Sequence, residues 1–208
     1  MTSRHPRFAA LCLGLWLAVT SLAGDAAPNL AQLATKLDKA GVIHAGFAQT
    51  KILQALKRPI RTSGRMVFAR GQGVLWQIDK PYQASYALSA EHVVEIGPDG
   101  SRKVRAAREV PALAHIGRVF EALFKGDAAA LEQYFQVTVG GSPERWRVDL
   151  APKPELVRFL KGISAQGGQF LDSIEVHEAQ GDVTRIEFRD SRLDAPLTDA
   201  EARLLRGE

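Results

Sequence analysis

The chain has 208 residues, 46% of them hydrophobic and 24% charged, with a formal net charge of +4. Its 27 basic residues are nearly balanced by 23 acidic ones, which argues against a nucleic-acid partner. A single cysteine excludes an intrachain disulfide, so apolar packing has to hold the fold.

The first 23 residues read "MTSRHPRFAALCLGLWLAVTSLA". Arg4 and Arg7 make a basic start, and Phe8 to Val19 form an apolar run too short for a comfortable membrane span. Ser21 and Ala23 then fit a small-x-small cleavage site, with Ala26 as a second possibility. The expectation is a cleaved secretory signal over residues 1–23 and a periplasmic mature protein. Cys12 follows Leu11 inside the apolar run, so it does not read as a lipid-attachment cysteine. Residues 24–208 are expected to form one domain, large enough for a sizeable core, with a charge of +2 once Arg4 and Arg7 leave.

Leu30, Leu33, Ala34 and Leu37 share a helical face, with Asn29 to cap the start and Gly41 the end, which predicts an N-terminal helix. "VIHAGFAQTKILQAL" reads as a long extended stretch and "KRPIRT" as a turn. In "GRMVFARGQGVLWQIDKPY", two strands flank a glycine turn. Met66 and Phe68 share one side of the first strand, and Val74, Trp76 and Ile78 one side of the second, yet Val67, Ala69 and Leu75, which point the other way, are apolar too. Pro81 breaks the chain, and Ala84, Tyr86 and Leu88 alternate with polar residues as in a strand. "EHVVEI" and "RKVRAA" flank the turn signal "GPDG". The basic stretch around "SRKVRAAR" reads as a solvated or edge strand, where charge resists edge-to-edge pairing.

From Pro111 the period changes. Leu113, Ile116, Phe120, Leu123 and Phe124 fall at helical spacing, Pro111 suits a first turn and Lys125-Gly126 an end. Asp127 can cap a second short helix through Leu131. Strand alternation resumes at Phe135, Val137 and Val139, continues through Trp146, Val148 and Leu150 after "GGSPE", and ends in a hairpin, "IEVHEAQGDVTRIEF". The order is a helix, roughly five strands, a helical insertion and four to five further strands: a mainly β protein whose antiparallel sheet should curl or close. The insertion's apolar stripe has to dock on the concave face, leaving either a packed core or a hydrophobic cavity.

Catalytic motifs are not visible. There is no Gly-x-Ser-x-Gly, His-Glu-x-x-His, phosphate-binding loop or dinucleotide fingerprint. Neighbouring Glu91-His92 and His177-Glu178 would point to opposite faces of a strand, and His44 sits among apolar residues as a structural histidine does. Neither catalysis nor a metal or other cofactor is expected.

The stretches "LDKAGVIHAGFAQTK" and "GRMVFARGQGVLWQIDKP", with Phe47 and Gln49, then Gly64, Arg70, Trp76 and Pro81 in order, resemble the periplasmic outer-membrane lipoprotein carrier family, the LolA-like proteins. The resemblance implies an incomplete antiparallel β-barrel with a helical lid and an N-terminal helix. It implies a chaperone-like monomeric carrier that takes an acylated lipoprotein or related lipid from an inner-membrane exporter to an outer-membrane receptor or the membrane. On that basis Phe47, Phe68, Trp76, Ile78, Tyr86, Leu88, Ile116, Phe120, Leu123 and Phe124 are the expected cavity residues, with Val67 and Leu75 as the set of opposite parity. Arg70 would hold the lid closed through hydrogen bonds to its main chain. The sequence has Gly71 where the family usually has proline, and lacks an aromatic-rich motif after Tyr86. Carriage of a non-protein lipid such as an aryl-polyene-type lipid, or a lipid-sensing module, therefore stand as alternatives.

Overall fold

The computed structural model describes residues 41–125, 127–193 and 195–208, with residues 111–116 and 128 described by backbone alone. The expected signal segment and N-terminal helix lie outside the described residues. Six strands come first: β1 (Val42–Ile52), β2 (Ile60–Ala69), β3 (Gly73–Lys80), β4 (Ala84–Leu88), β5 (His92–Ile96) and β6 (Arg102–Ala106). A 3-10 turn (Ala107–Glu109) leads to helix α1 (Pro111–Lys125) and the short α2 (Ala128–Glu132). Five strands follow, β7 (Phe135–Ser142), β8 (Arg145–Pro152), β9 (Leu160–Gly167), β10 (Leu171–Glu178) and β11 (Val183–Arg192), and helix α3 (Asp199–Leu205) comes last.

All eleven strands join one antiparallel sheet in the order β6-β5-β4-β3-β2-β1-β11-β10-β9-β8-β7. The sheet stays open, with β6 and β7 as its edges. Edge strand β6 is exposed through Arg102, Lys103, Val104 and Arg105, as its basic composition suggested. The first half has six strands rather than roughly five, and β9 is the strand that alternation did not single out; it fills the place between β8 and β10.

Pairing decides which side each residue faces. Met66 pairs with Trp76 and Phe68 with Val74, while Ile43 pairs with Phe68 and Phe47 with Phe188. These residues belong to one face. Strands from opposite halves of the sheet, carrying Met66, Ile78, Phe135, Trp146 and Leu150, contribute to a single apolar cluster. A flat sheet cannot bring such distant strands together, so the sheet curls around this face. Helices α1 and α2 lie on it through Leu123, Phe124 and Leu131. Asp127 caps α2 as its sequence implied, its side chain accepting from the Ala130 amide.

The second parity has its own cover. Val67, Ala69, Leu75, Ala87 and Val94 form a separate cluster closed by Leu205, with Leu197 and Leu204 packed beside it. Here the structure adds an element: "LTDAEARLLRGE" makes helix α3 over the convex face. Thr198 accepts from the Glu201 amide while the Glu201 carboxylate accepts from the Thr198 amide, a reciprocal capping box. Beside it, Nε2 of His44 lies 3.9 Å from the Glu201 carboxylate.

Candidate functional site

The concave face owes its aromatic density to the register. Phe47, Trp76 and Phe188 come from β1, β3 and β11, and their alternation points all three inward. Phe47 stacks on Trp76 with ring centroids 3.8 Å apart, and Phe188 meets Trp76 edge-on at 6.2 Å. Helix α1 adds Phe120, 5.9 Å from Trp76, and Phe124, stacked on Phe68 at 4.8 Å and edge-on to Phe188 at 6.2 Å. Such offset and T-shaped pairs favour contact beyond simple area burial.

Nine of the ten residues expected from the sequence have described side chains, and all nine lie on this face or on the helix covering it. Phe47, Phe68, Ile78, Leu88, Leu123 and Phe124 are buried. Trp76, Tyr86 and Phe120 are partly buried and pack against the same cluster. The side chain of Ile116 lies outside the described residues. Leu88 sits under Gly117 of α1, where a Cβ would come within 3.2 Å of the leucine Cβ, so a glycine lets helix and strand approach there. Val67 and Leu75, the set of opposite parity, point into the convex cluster instead. Sequence reasoning omitted Phe188 and Trp146, although each fits the alternation of its strand.

The chemistry of the face is almost wholly apolar. Tyr86 is one of its polar members, with Tyr134 packed on the same cluster; burial, then the neighbouring Glu95 carboxylate and Tyr82, push the Tyr86 hydroxyl above the ordinary value, so the phenol stays neutral. The rings of Phe120 and Phe124 meet those of Phe68, Trp76 and Phe188 on the sheet. One side of α1 can bury while Arg118 stays exposed, and Lys125 pairs with Glu121 across one helical turn.

Arg70 is half-buried at the start of the β2–β3 turn, its amide donating to the Gly41 carbonyl at 2.9 Å. The Phe68–Phe124 stack places the last turn of α1 over the end of β2, two residues before Arg70. Gly71 has φ of +70°. Proline, fixed near −65°, cannot take that conformation, so this turn differs in shape from an Arg-Pro turn.

The polar groups lie elsewhere. On the opposite side of the sheet, Arg147 donates to both Asp149 oxygens at 2.7 and 2.8 Å, and the Ser164 hydroxyl donates to Asp149 at 2.6 Å. The Arg147 guanidinium holds the Asp149 carboxyl below its usual value, and Arg185 does the same for Glu175. Nε2 of His177 stands 2.7 Å from Glu175. These groups are partners in a surface ion network. Among the described residues, no group of three or more His, Cys, Asp or Glu could hold a metal ion, and no helix is long and apolar enough to cross a membrane.

A family model described as outer membrane lipoprotein carrier protein LolA-like matches residues 22–205. No curated protein matches the chain. Among solved structures, a LolA superfamily protein from Nitrosomonas europaea is 10% identical, with 84% of this chain and 97% of that one covered and a TM-score of 0.47. A DUF1329 family protein from Desulfovibrio piger is also 10% identical, with coverages of 82% and 93% and a TM-score of 0.49. The MucA/MucB complex of Pseudomonas aeruginosa matches at 9% identity, covering 83% of this chain and 58% of that one, with a TM-score of 0.44.

Proposed function

From the match over residues 22–205, the chain belongs to the LolA-like outer membrane lipoprotein carrier family, and on that premise we propose that it is a periplasmic carrier that shelters acyl chains against the concave face beneath α1. The family is one of envelope binding proteins and carriers. The observation that carries the reading is the aromatic face of Phe47, Phe68, Trp76 and Phe188, covered by one amphipathic helix. Strand-to-strand bonding ties the sheet together along eleven strands. Helix α1 sits on that frame by side-chain contact, so it can lift without breaking the sheet.

The task sets the physical requirement. Exposing an acyl chain to water costs about 0.8 kcal/mol per methylene, on the order of 12 kcal/mol for a sixteen-carbon chain. A carrier has to replace most of that solvation cost and still let go. An apolar face without specific polar grips does so, because it recognises hydrocarbon and little else. The cargo is an acylated lipoprotein or a related lipid, received from an inner-membrane exporter and delivered to an outer-membrane receptor or the membrane. Arg70, beside the end of β2, acts on the closed position of α1. Its forked donors suit carbonyls at a helix C-terminus.

Native mass spectrometry of protein purified from the periplasm tests the reading. Co-purified species with the masses of acylated molecules support it, and those masses separate lipoprotein from free lipid. A protein that emerges with no lipid and binds no fluorescent acyl probe would overturn it.

A further inference from the structure

Exposed apolar side chains are unevenly placed. Leu56 is 49% exposed, Ile60 43%, Tyr82 45%, Val157 54% and Phe159 55%, and all five stand at one end of the sheet. The topology dictates this: β1 ends where β2 and β11 begin, β10 ends where β9 begins, and β3 ends where β4 begins. The β1–β2, β3–β4, β8–β9 and β10–β11 connections therefore share that end.

The rim is built rather than loose. The Gln54 amide donates to Asp182 at 2.8 Å and its side-chain nitrogen to the Gly181 carbonyl at 3.1 Å, tying the β1–β2 loop to the β10–β11 turn. The Ala179 amide donates to the Phe159 carbonyl at 2.9 Å, tying that turn to the β8–β9 loop. Within the β8–β9 loop, the Phe159 and Leu160 amides both donate to the Leu156 carbonyl. Leu156 packs inward against the core while Val157 and Phe159 stay in solvent. An ordered loop that anchors one apolar residue and exposes the next two is not hiding from water.

Charge sorts the possible partners. The two loops that carry Leu56, Val157 and Phe159 hold Lys57, Arg58, Lys153 and Arg158 against a single acid, Glu155. The nearby acids are engaged: Glu178 pairs with Lys51 at 3.0 Å and Asp182 accepts from Gln54. Arg158 lies over the Phe159 ring, 4.5 Å from its centroid, an amphipathic unit with an apolar plate and a cationic edge. Apolar tips set among lysines and arginines match the interface of an anionic bilayer, where rings enter the acyl boundary and cations meet phosphates.

We propose that this end of the sheet is a membrane-docking rim, which seats Leu56, Tyr82, Val157 and Phe159 in the surface of an anionic phospholipid bilayer beneath Lys57, Arg58 and Arg158. The inference deepens the carrier reading, on which it rests for its purpose, because cargo has to pass between bilayer and carrier somewhere. The binding itself needs no cargo. It is separate from the concave face and from the lid.

Vesicle flotation tests it. The mature chain is mixed with vesicles of phosphatidylcholine alone or of phosphatidylcholine with phosphatidylglycerol, at low and high salt. The expected result is flotation with phosphatidylglycerol vesicles, weakened by salt. Combining Leu56→Ser with Phe159→Ser should lower the partition on the order of tenfold, from the interfacial burial lost at two side chains. Leu193→Ser, at an exposed leucine on the opposite end, should float as wild type does. Far-ultraviolet circular dichroism checks that the variants are folded. No flotation of the wild type, equal flotation of the double variant, or an equal loss from Leu193→Ser would each overturn the rim. Acyl-probe binding without vesicles reports on the carrier reading separately: its absence alongside intact vesicle binding would remove the cargo and leave the rim.

Discussion

Replacing Phe120 with aspartate distinguishes a cargo face from a closed core. Phe120 is partly buried on α1, 5.9 Å from Trp76 and 6.3 Å from Phe124, so it borders the apolar space without being sealed in it. An aspartate there can still turn to water, and the fold should lose no more than about 1–2 kcal/mol, in keeping with a half-buried ring. Bound hydrocarbon is another matter. A carboxylate keeps its hydration, and acyl carbons cannot provide it. Clearing about three methylenes from its neighbourhood, at about 0.8 kcal/mol each, opposes binding by about 2.4 kcal/mol; the about 1–2 kcal/mol that the closed helix loses offsets part of this, so binding weakens by roughly 0.4–1.4 kcal/mol, about two- to tenfold. Titration with a fluorescent acyl probe measures the affinity, and urea unfolding followed by circular dichroism measures stability on the same samples. Wild-type probe affinity in Phe120→Asp, together with a collapse in stability, would refute the reasoning and make the concave face an ordinary core.

Leu205→Ala should show the opposite division: Leu205 is buried against Val67, Leu75 and Val94 on the convex face, so its truncation should cost about 2–4 kcal/mol in urea unfolding while probe affinity stays at the wild-type level. Arg70→Leu should keep or tighten probe loading and slow hand-over to acceptor vesicles, since interactions that hold α1 closed oppose cargo; wild-type rates in both steps would reduce Arg70 to a turn residue. The Asp149 carboxyl, hydrogen-bonded by Arg147 and Ser164, has a folded-state pKa below its ordinary 3.8. Its contribution to stability is therefore present above about 3.8 and lost as pH falls through the lower folded value. Asp149→Asn should therefore lower the melting temperature at neutral pH, where that contribution is full, and converge with the wild type as pH falls below the folded value; a wild-type melting temperature at neutral pH would contradict the assignment.

Much of the fold was legible because local rules and tertiary packing agreed. Period-two alternation marked β2, β3, β4, β7 and β8, Pro111 and Lys125 bounded α1, and Asp127 announced α2. The concave aromatic set was legible for the same reason. What alternation could not do was choose between two apolar parities in β2 and β3. That choice depends on what lies above each face, which is a long-range fact: α1 covers Phe68 and Trp76, and α3 covers Val67 and Leu75. The signal for α3 was present in Thr198 and Glu201, but a seven-residue helix has little stability of its own and takes shape through Leu204 and Leu205 on the sheet. Phe188 was missed although Ile186 precedes it at strand spacing, because its place beside Trp76 is set by the pairing of β1 with β11.

The two apolar faces differ in what can compete for them. On the convex face, Leu204 and Leu205 close a small cluster from a helix fixed by its capping box, and their packing there contributes stability. On the concave face, α1 offers Phe120, Leu123 and Phe124 to a much larger apolar surface. Burying three such side chains stabilises the closed helix by roughly 5–9 kcal/mol at most. A sixteen-carbon chain brings on the order of 12 kcal/mol of its own. Exchanging one for the other leaves a net preference of roughly 3–7 kcal/mol, which corresponds to millimolar to micromolar binding. On the proposed carriage such a balance suits transport, since a helix with no apolar stripe would hold cargo too tightly to release it, and a helix whose burial exceeded that of the acyl chain would not admit it. On the proposed carriage, the weight of aromatic residues on α1 would set the affinity, and apolar truncations there should move loading and release in opposite directions.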